Sequence, residues 1–224
     1  VIVAAAGDLE HRRVVKLVWS AFGTWQGRCL PTNGSSPVSY HTVHHAERDS
    51  AQLHLVLGAE GLPYNHANRY AFYLLNAILG SSMSSRLFQE VREKRGLAYS
   101  IYSYLASYYD SGLLAVYAGT SAETYPQVVD LIRAEFARLR EGPVDLTEFH
   151  RAKAQLKGNL LLGLESTSSR MTRLAKTEIY FGRYFDLDEI IQGIDGVSPQ
   201  TFAELNRSLF EPDRYALTTI GHLS

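Results

Sequence analysis

Residues 84–99 read Ser-Ser-Arg-Leu-Phe-Gln-Glu-Val-Arg-Glu-Lys-Arg-Gly-Leu-Ala-Tyr, and no other stretch constrains the local structure so closely. Ser84 or Ser85 is placed to cap a short helix. Leu87, Phe88 and Val91 form its apolar face. Gly96 falls where a left-handed residue ends a helix, and Leu97 is the apolar residue that folds back on Val91 in a Schellman-type stop. Tyr99 then opens a strand. Arg92, in the last helical turn, and Tyr99 are thereby held on two rigid elements joined by a tight turn.

The rest of the chain supplies a sheet and helices in blocks. Residues 1–6 read as a short buried strand broken at Gly7-Asp8, and residues 10–22 carry a helical stripe of Val14, Val15, Leu17, Val18 and Phe22 that Gly23 stops. Residues 27–40, with two prolines, two glycines and a Ser/Asn cluster, read as a linker. Leu53, Leu55 and Leu57 alternate with Gln52, His54 and Val56, the pattern of a strand with one buried face. A helix over 66–79 follows. Residues 99–108 and 113–119 form a hairpin around Asp110-Ser-Gly112. Pro126 opens the next helix, and Asp145 with Glu148 starts a long helical run to about Tyr180, with a break near 166–169. Asp186 with Glu189, and Ser198-Pro199, begin two more, and residues 215–220 close the sheet. Strands and helices do not alternate as in a doubly wound fold. The reading is α+β: an antiparallel sheet with helices packed on one face. Residues 215–223, Tyr-Ala-Leu-Thr-Thr-Ile-Gly-His-Leu, also align without gaps on residues 1–9, Val-Ile-Val-Ala-Ala-Ala-Gly-Asp-Leu.

Several function classes fall away. Twenty-two Lys and Arg against 23 Asp and Glu give a net charge of -1 with no long basic run, so a nucleic-acid surface is not expected. Nor is a membrane span, which takes roughly 20 apolar residues. Cys29 is alone, which excludes an internal disulfide or a cysteine zinc site and fits a reducing, cytoplasmic location. The serines of 166–169 have no paired His and no nucleophile elbow, and the glycines near 80 lack a P-loop lysine. His41, His44, His45 and Glu47 are dense, but on a strand His44 and His45 point to opposite faces, so a solvated linker leading into an edge strand is the expected reading.

The string Ser-Arg-Leu-Phe-x-x-x-Arg-x-x-x-Gly-Leu-x-Tyr resembles the second-half motif of the pitrilysin, insulysin and mitochondrial processing peptidase family of zinc endopeptidases. The resemblance implies that Arg92 and Tyr99 contact peptide substrate beside a zinc ion held by the other half. It also implies α+β halves like the one read above. His-x-x-Glu-His, the zinc motif of that family, is absent: His44-His45-Ala46-Glu47-Arg48 has Arg48 in place of the second His. Zinc is therefore expected in the parent protein, bound by an N-terminal catalytic half that lies before Val1, and no cofactor is expected here. On this reading residues 1–26 are the tail of the preceding half, 27–42 an interdomain linker and 43–224 the C-terminal, non-zinc-binding domain. The chain would be inactive alone, with peptide substrate and the N-terminal half as partners and a homodimer left open. The alternative is a non-catalytic structural or assembly subunit of the same fold.

Overall fold

The computed structural model describes residues 1–27, 37 and 40–222, the side chain of Asp213 excepted. Five strands form one sheet: β1 (Thr42–Glu47), β2 (Leu53–Glu60), β3 (Ala98–Ser107), β4 (Gly112–Thr120) and β5 (Ala216–Gly221), in the spatial order β1-β5-β2-β4-β3. The ladders β5-β2, β2-β4 and β4-β3 are antiparallel, and β1 joins the edge of β5 in parallel. Alternation decides which face is covered. Leu53, Leu55, Leu57, Leu114, Val116, Ala118 and Leu217 are buried on one face, whereas His54, Val56, Tyr117, Tyr102 and Thr218 lie on the other.

The helices α2 (Arg69–Leu79), α3 (Tyr125–Glu141), α4 (Leu146–Gly163), α6 (Leu187–Asp195) and α7 (Pro199–Leu209) build the second layer. Their apolar stripes complete a core in which Phe136 stacks on Phe210 at 4.5 Å and Phe149 meets Phe202 edge-on at 5.5 Å. The long run breaks at Ser166, whose side chain caps α5 (Thr167–Phe181) by accepting from the Ser169 N–H. Asp145, Asp186 and Ser198 cap α4, α6 and α7 in the same way. The two acids expected to complete capping boxes do not reach back. Glu148 turns to Arg86 and Glu189 to Arg183, because a guanidinium offers a charge-assisted pair.

Residues 1–6, expected as a buried strand, pair with no strand among the described residues and none of them is buried. They run against α1 (His11–Phe22), which has no buried residue; Trp19 is 68% exposed. The match with the chain end reaches the backbone: Gly7 has φ +145° and Gly221 φ +143°. Most of residues 27–42 lies outside the described residues. Among those described, no helix is long and apolar enough to cross a membrane.

One contact fixes where α2 delivers the chain. The Gly80 carbonyl accepts from the Ser103 N–H at 3.1 Å, and the Ser103 hydroxyl donates to Asn76 Oδ1 at 2.7 Å. A Cβ on Gly80 would sit 2.5 Å from the Ser103 nitrogen. Gly80→Ala is therefore expected to push α2 off β3 and destabilise by about 1–3 kcal/mol, the usual cost of overpacking. Urea denaturation would read this as a lower midpoint at an unchanged slope.

Candidate functional site

Beyond Gly80 the chain turns into a short helix over Phe88–Glu93 whose hydrogen bonding is of the wider π type, with the Lys94 N–H reaching the Gln89 carbonyl at 3.0 Å. Neither Ser84 nor Ser85 caps it. The Ser85 hydroxyl donates to the Ser82 carbonyl, and Ser84 lies 3.2 Å from the Ser82 hydroxyl. The stop is as expected: Gly96 is left-handed at φ +64°, the Leu97 N–H bonds the Val91 carbonyl at 3.0 Å, and the Gly96 N–H bonds that of Arg92. Leu87 and Val91 are fully buried, but Phe88 stays half-buried at the surface.

Phe88 is where sequence reading missed a role. The Arg92 guanidinium lies 4.9 Å from the Phe88 ring centre and 5.6 Å from that of Tyr99. It is thus flanked by two aromatic rings, each attracting the cation through its π face. The helical i, i+4 spacing of Phe88 and Arg92 was the available signal. Tyr99 sits at a β-bulge: Ala98 pairs with Thr120 and Ser100 with Gly119, leaving Tyr99 unmatched. The bulge turns its ring outward, 76% exposed.

The charges around this pair are sorted. Lys94 and Arg95 both close on Glu90, Arg95 Nη1 at 2.6 Å from Oε2. The hydrogen bonds from Lys94 and then Arg95 pull the Glu90 carboxyl down to about 2. Arg86 makes a fork on Glu148, Nε to Oε1 at 3.0 Å and Nη2 to Oε2 at 2.6 Å, with buried Glu135 at 3.8 Å. This pairing bolts the short helix to α3 and α4. The Arg92 side chain has no hydrogen bond or ion pair among the described residues, and the Tyr99 hydroxyl has none either. A free planar fork of donors beside a free phenol can bind a carbonyl or carboxylate oxygen.

The histidine cluster divides as the strand parity requires. His45 faces Thr219, with Nδ1 2.8 Å from its hydroxyl, while His44 lies on the opposite face. Glu47 takes His45 Nε2 at 3.0 Å on one oxygen and His222 Nδ1 at 2.5 Å on the other. These pairings, His45 first, hold the Glu47 carboxyl below its ordinary value and tie β1 to the end of β5. The rings occupy opposite oxygens of one carboxylate instead of converging on a point. Among the described residues no group of three His, Cys, Asp or Glu is placed to hold a metal. His54, given no role from sequence, pairs with Tyr117 on the open sheet face at 2.8 Å.

The profile of the family described as "Peptidase M16 inactive domain" matches residues 1–156. Two relatives, each named an uncharacterized zinc protease, align with nearly the whole chain. The Bacillus subtilis protein is 40% identical over 99% of this chain and 54% of its own length. The Streptomyces coelicolor protein is 38% identical over 99% and 50%. The chain thus spans about half the length of the curated relatives it matches. Among solved structures, a peptidase M16 inactive domain from Pseudomonas fluorescens superposes with a TM-score of 0.85 at 22% identity, over 96% of this chain and 52% of that one. A chain of complex III2 from Candida albicans does so with 0.81 at 19%, over 96% and 53%. Both show the fold.

Two outcomes check this geometry. Arg86→Ala removes the cation of part-buried Glu148 and leaves Glu135 with Arg138 alone, so it should destabilise by about 3 kcal/mol in thermal unfolding. Glu90 titrates far below its ordinary 4.5, so its pairs add stability above that pH and lose it as pH falls toward about 2. Glu90→Gln should flatten the acid limb of stability against pH, and carboxyl titration by NMR should give Glu90 the low value.

Proposed function

Because the chain belongs to the family of peptidase M16 inactive domains, we propose that it is the substrate-binding C-terminal half of a zinc-dependent endopeptidase. In this reading peptides are cleaved in a chamber between two halves, and this half is inactive alone. One observation carries it. Of the four cations between Arg86 and Arg95, three are paired with carboxylates, while Arg92 stands free between Phe88 and Tyr99. Residues 1–26 fit the tail of the preceding half. Their helix buries nothing here, and Gly7 repeats the positive φ of Gly221, the glycine that closes β5. Residues 27–42 would then be the linker, and 43–224 the domain.

Among the described residues none are grouped to fit a zinc site, and Glu47 holds His45 and His222 on opposite oxygens. Zinc belongs in this reading to the preceding half, as the naming of the relatives as zinc proteases suggests. There it would supply an activated water for peptide hydrolysis. Arg92 and Tyr99 donate hydrogen bonds to the peptide oxygen on which charge builds, or to its backbone neighbours. They act from rigid elements that need no reorganisation. β3, at the sheet edge, carries Tyr99 at its start, so an extended peptide adding to this edge would run past both side chains. The Gly80–Ser103 bond already occupies one outward N–H of β3, leaving the rail nearer Tyr99 for a peptide.

In the longer protein that carries both halves, Arg92→Ala is expected to lower kcat/KM for peptide by about 10²-fold or more. Tyr99→Phe should have a smaller effect, and zinc content should not change. Chelation should abolish cleavage. Peptide cleavage by the isolated chain that persists in chelator would overturn the reading. Unchanged kcat/KM in Arg92→Ala would remove Arg92 from substrate binding and favour the structural-subunit alternative.

A further inference from the structure

At the far end of β3 from Tyr99, a cavity of about 160 Å³ opens between α2, α4, α5 and α6. The Tyr64 N–H bonds the Tyr108 carbonyl just past β3, so the two places are separated by on the order of 30 Å of strand. Arg69 and Arg173 line the cavity with Tyr64 and Tyr73, and Phe181 and Phe185 form apolar wall. No Asp or Glu is among its lining residues. We propose that this cavity is a binding site for a carboxylate carried on a compact apolar body, either a peptide C-terminus or a free organic acid.

The donors in the cavity outnumber its acceptors. Nε and Nη1 of Arg173 are buried with no hydrogen-bond partner, and its Nη2 reaches only the Tyr184 hydroxyl at 3.3 Å. Arg69 donates to the Tyr70 hydroxyl at 3.2 Å and to the His66 carbonyl at 3.4 Å, and lies over the rings of Tyr70, Phe181 and Phe185 at 4.4, 5.0 and 5.5 Å. Aromatic faces offset part of its charge but offer no acceptor in the plane of the guanidinium. Neither arginine has a carboxylate partner among the described residues. In contrast, Arg183 on the neighbouring loop is paired with Glu189.

The tyrosines add neutral donors. The hydroxyls of Tyr64 and Tyr73 have no hydrogen bond among the described residues. Burial raises both above the ordinary phenol value, so they remain protonated in neutral solution. Of the two further hydroxyls in the wall, Thr177 already donates to the Arg173 and Leu174 carbonyls, and Tyr70 accepts from Arg69. Buried guanidinium nitrogens without an acceptor, as Nε and Nη1 of Arg173 are, are costly, and a carboxylate answers them with a charge-assisted, two-pronged pair. The volume equals that of about five waters, enough for a carboxylate and a short branched chain. The apolar wall favours such a body over a fully hydrated anion.

Three probes test this on the full chain by titration calorimetry and thermal melting. They are 4-methylvalerate, a hexapeptide ending in leucine with a free carboxyl, and the same hexapeptide amidated. Both free acids should bind and raise the melting temperature, and the amide should bind at least about tenfold more weakly. Arg173→Gln and Arg69→Gln should each weaken acid binding by a similar factor while far-UV circular dichroism stays unchanged. If Arg173→Gln does not fold, Arg69→Gln and Tyr73→Phe carry the comparison. Tighter binding of the free-acid peptide than of 4-methylvalerate identifies a peptide terminus as the ligand, and the reverse identifies a small acid. No binding of either acid at millimolar concentration, equal binding of the amide, or affinity unchanged in the arginine variants overturns the proposal. The readout is binding by this chain alone, so it stands or falls independently of zinc and of Arg92.

Discussion

The sheet is covered on one face only, and the rest of the molecule follows from that constraint. Because successive strand residues point to opposite faces, a one-residue slip of β2 would exchange Leu53, Leu55 and Leu57 for Gln52, His54 and Val56 in the core. Hydrophobic burial therefore fixes register across β5, β2, β4 and β3 at once, and it forces the core helices onto the same side. The open face is left with polar and aromatic side chains such as His54, Tyr102 and Tyr117. The outer rail of β3 is left with few partners of its own. Position of the candidate pair is a consequence: Tyr99 sits where the edge strand begins, and Arg92 where the preceding helix is forced to stop.

Holding an arginine free is harder than pairing it, because any nearby carboxylate would capture it. The segment 84–99 manages this by supplying acids elsewhere. Glu148 and Glu135 take Arg86 on the buried side, and Glu90 takes both Lys94 and Arg95 on the exposed side. Glu93, next in sequence to Arg92, makes no pair with it. The rings of Phe88 and Tyr99 then orient the guanidinium without consuming its donors, since a π face meets the flat of the group and leaves its N–H edge available.

What was legible in the sequence was what local chemistry determines. Gly96, Leu97 and Val91 announced a left-handed stop, and Asp145, Asp186 and Ser198 announced helix starts. Each depends on groups within a few residues. What was not legible depends on partners far away in the chain. Residues 1–6 have strand composition but pair with no strand among the described residues. Glu148 and Glu189 have capping-box spacing, but arginines brought near by the fold outcompete a backbone N–H. The π-type winding of Phe88–Glu93 has no residue signature within the segment itself. At the site, the spacing of Arg92 and Tyr99 was visible, but the bulge that turns Tyr99 outward required β4 as a reference.

Arginine has three different uses in this chain, and burial of its partners separates them. Arg86 meets two carboxylates, one of them on nearly inaccessible Glu135, and so acts as a structural bolt whose removal strands Glu148 and leaves Glu135 to Arg138. Arg92 meets only rings and water, so its charge costs nothing to keep available and can be shared with an incoming oxygen. Arg173 is the intermediate case, sheltered from water at two nitrogens that have no acceptor among the described residues, with its third nitrogen on the Tyr184 hydroxyl. Packing alone does not explain such a residue, because leucine or methionine would fill the same space without the desolvated donors. A guanidinium is kept in that position at a cost to folding. The carboxylate proposed for that cavity would offset the cost, as the incoming oxygen proposed for Arg92 would use free donors at the other end of β3.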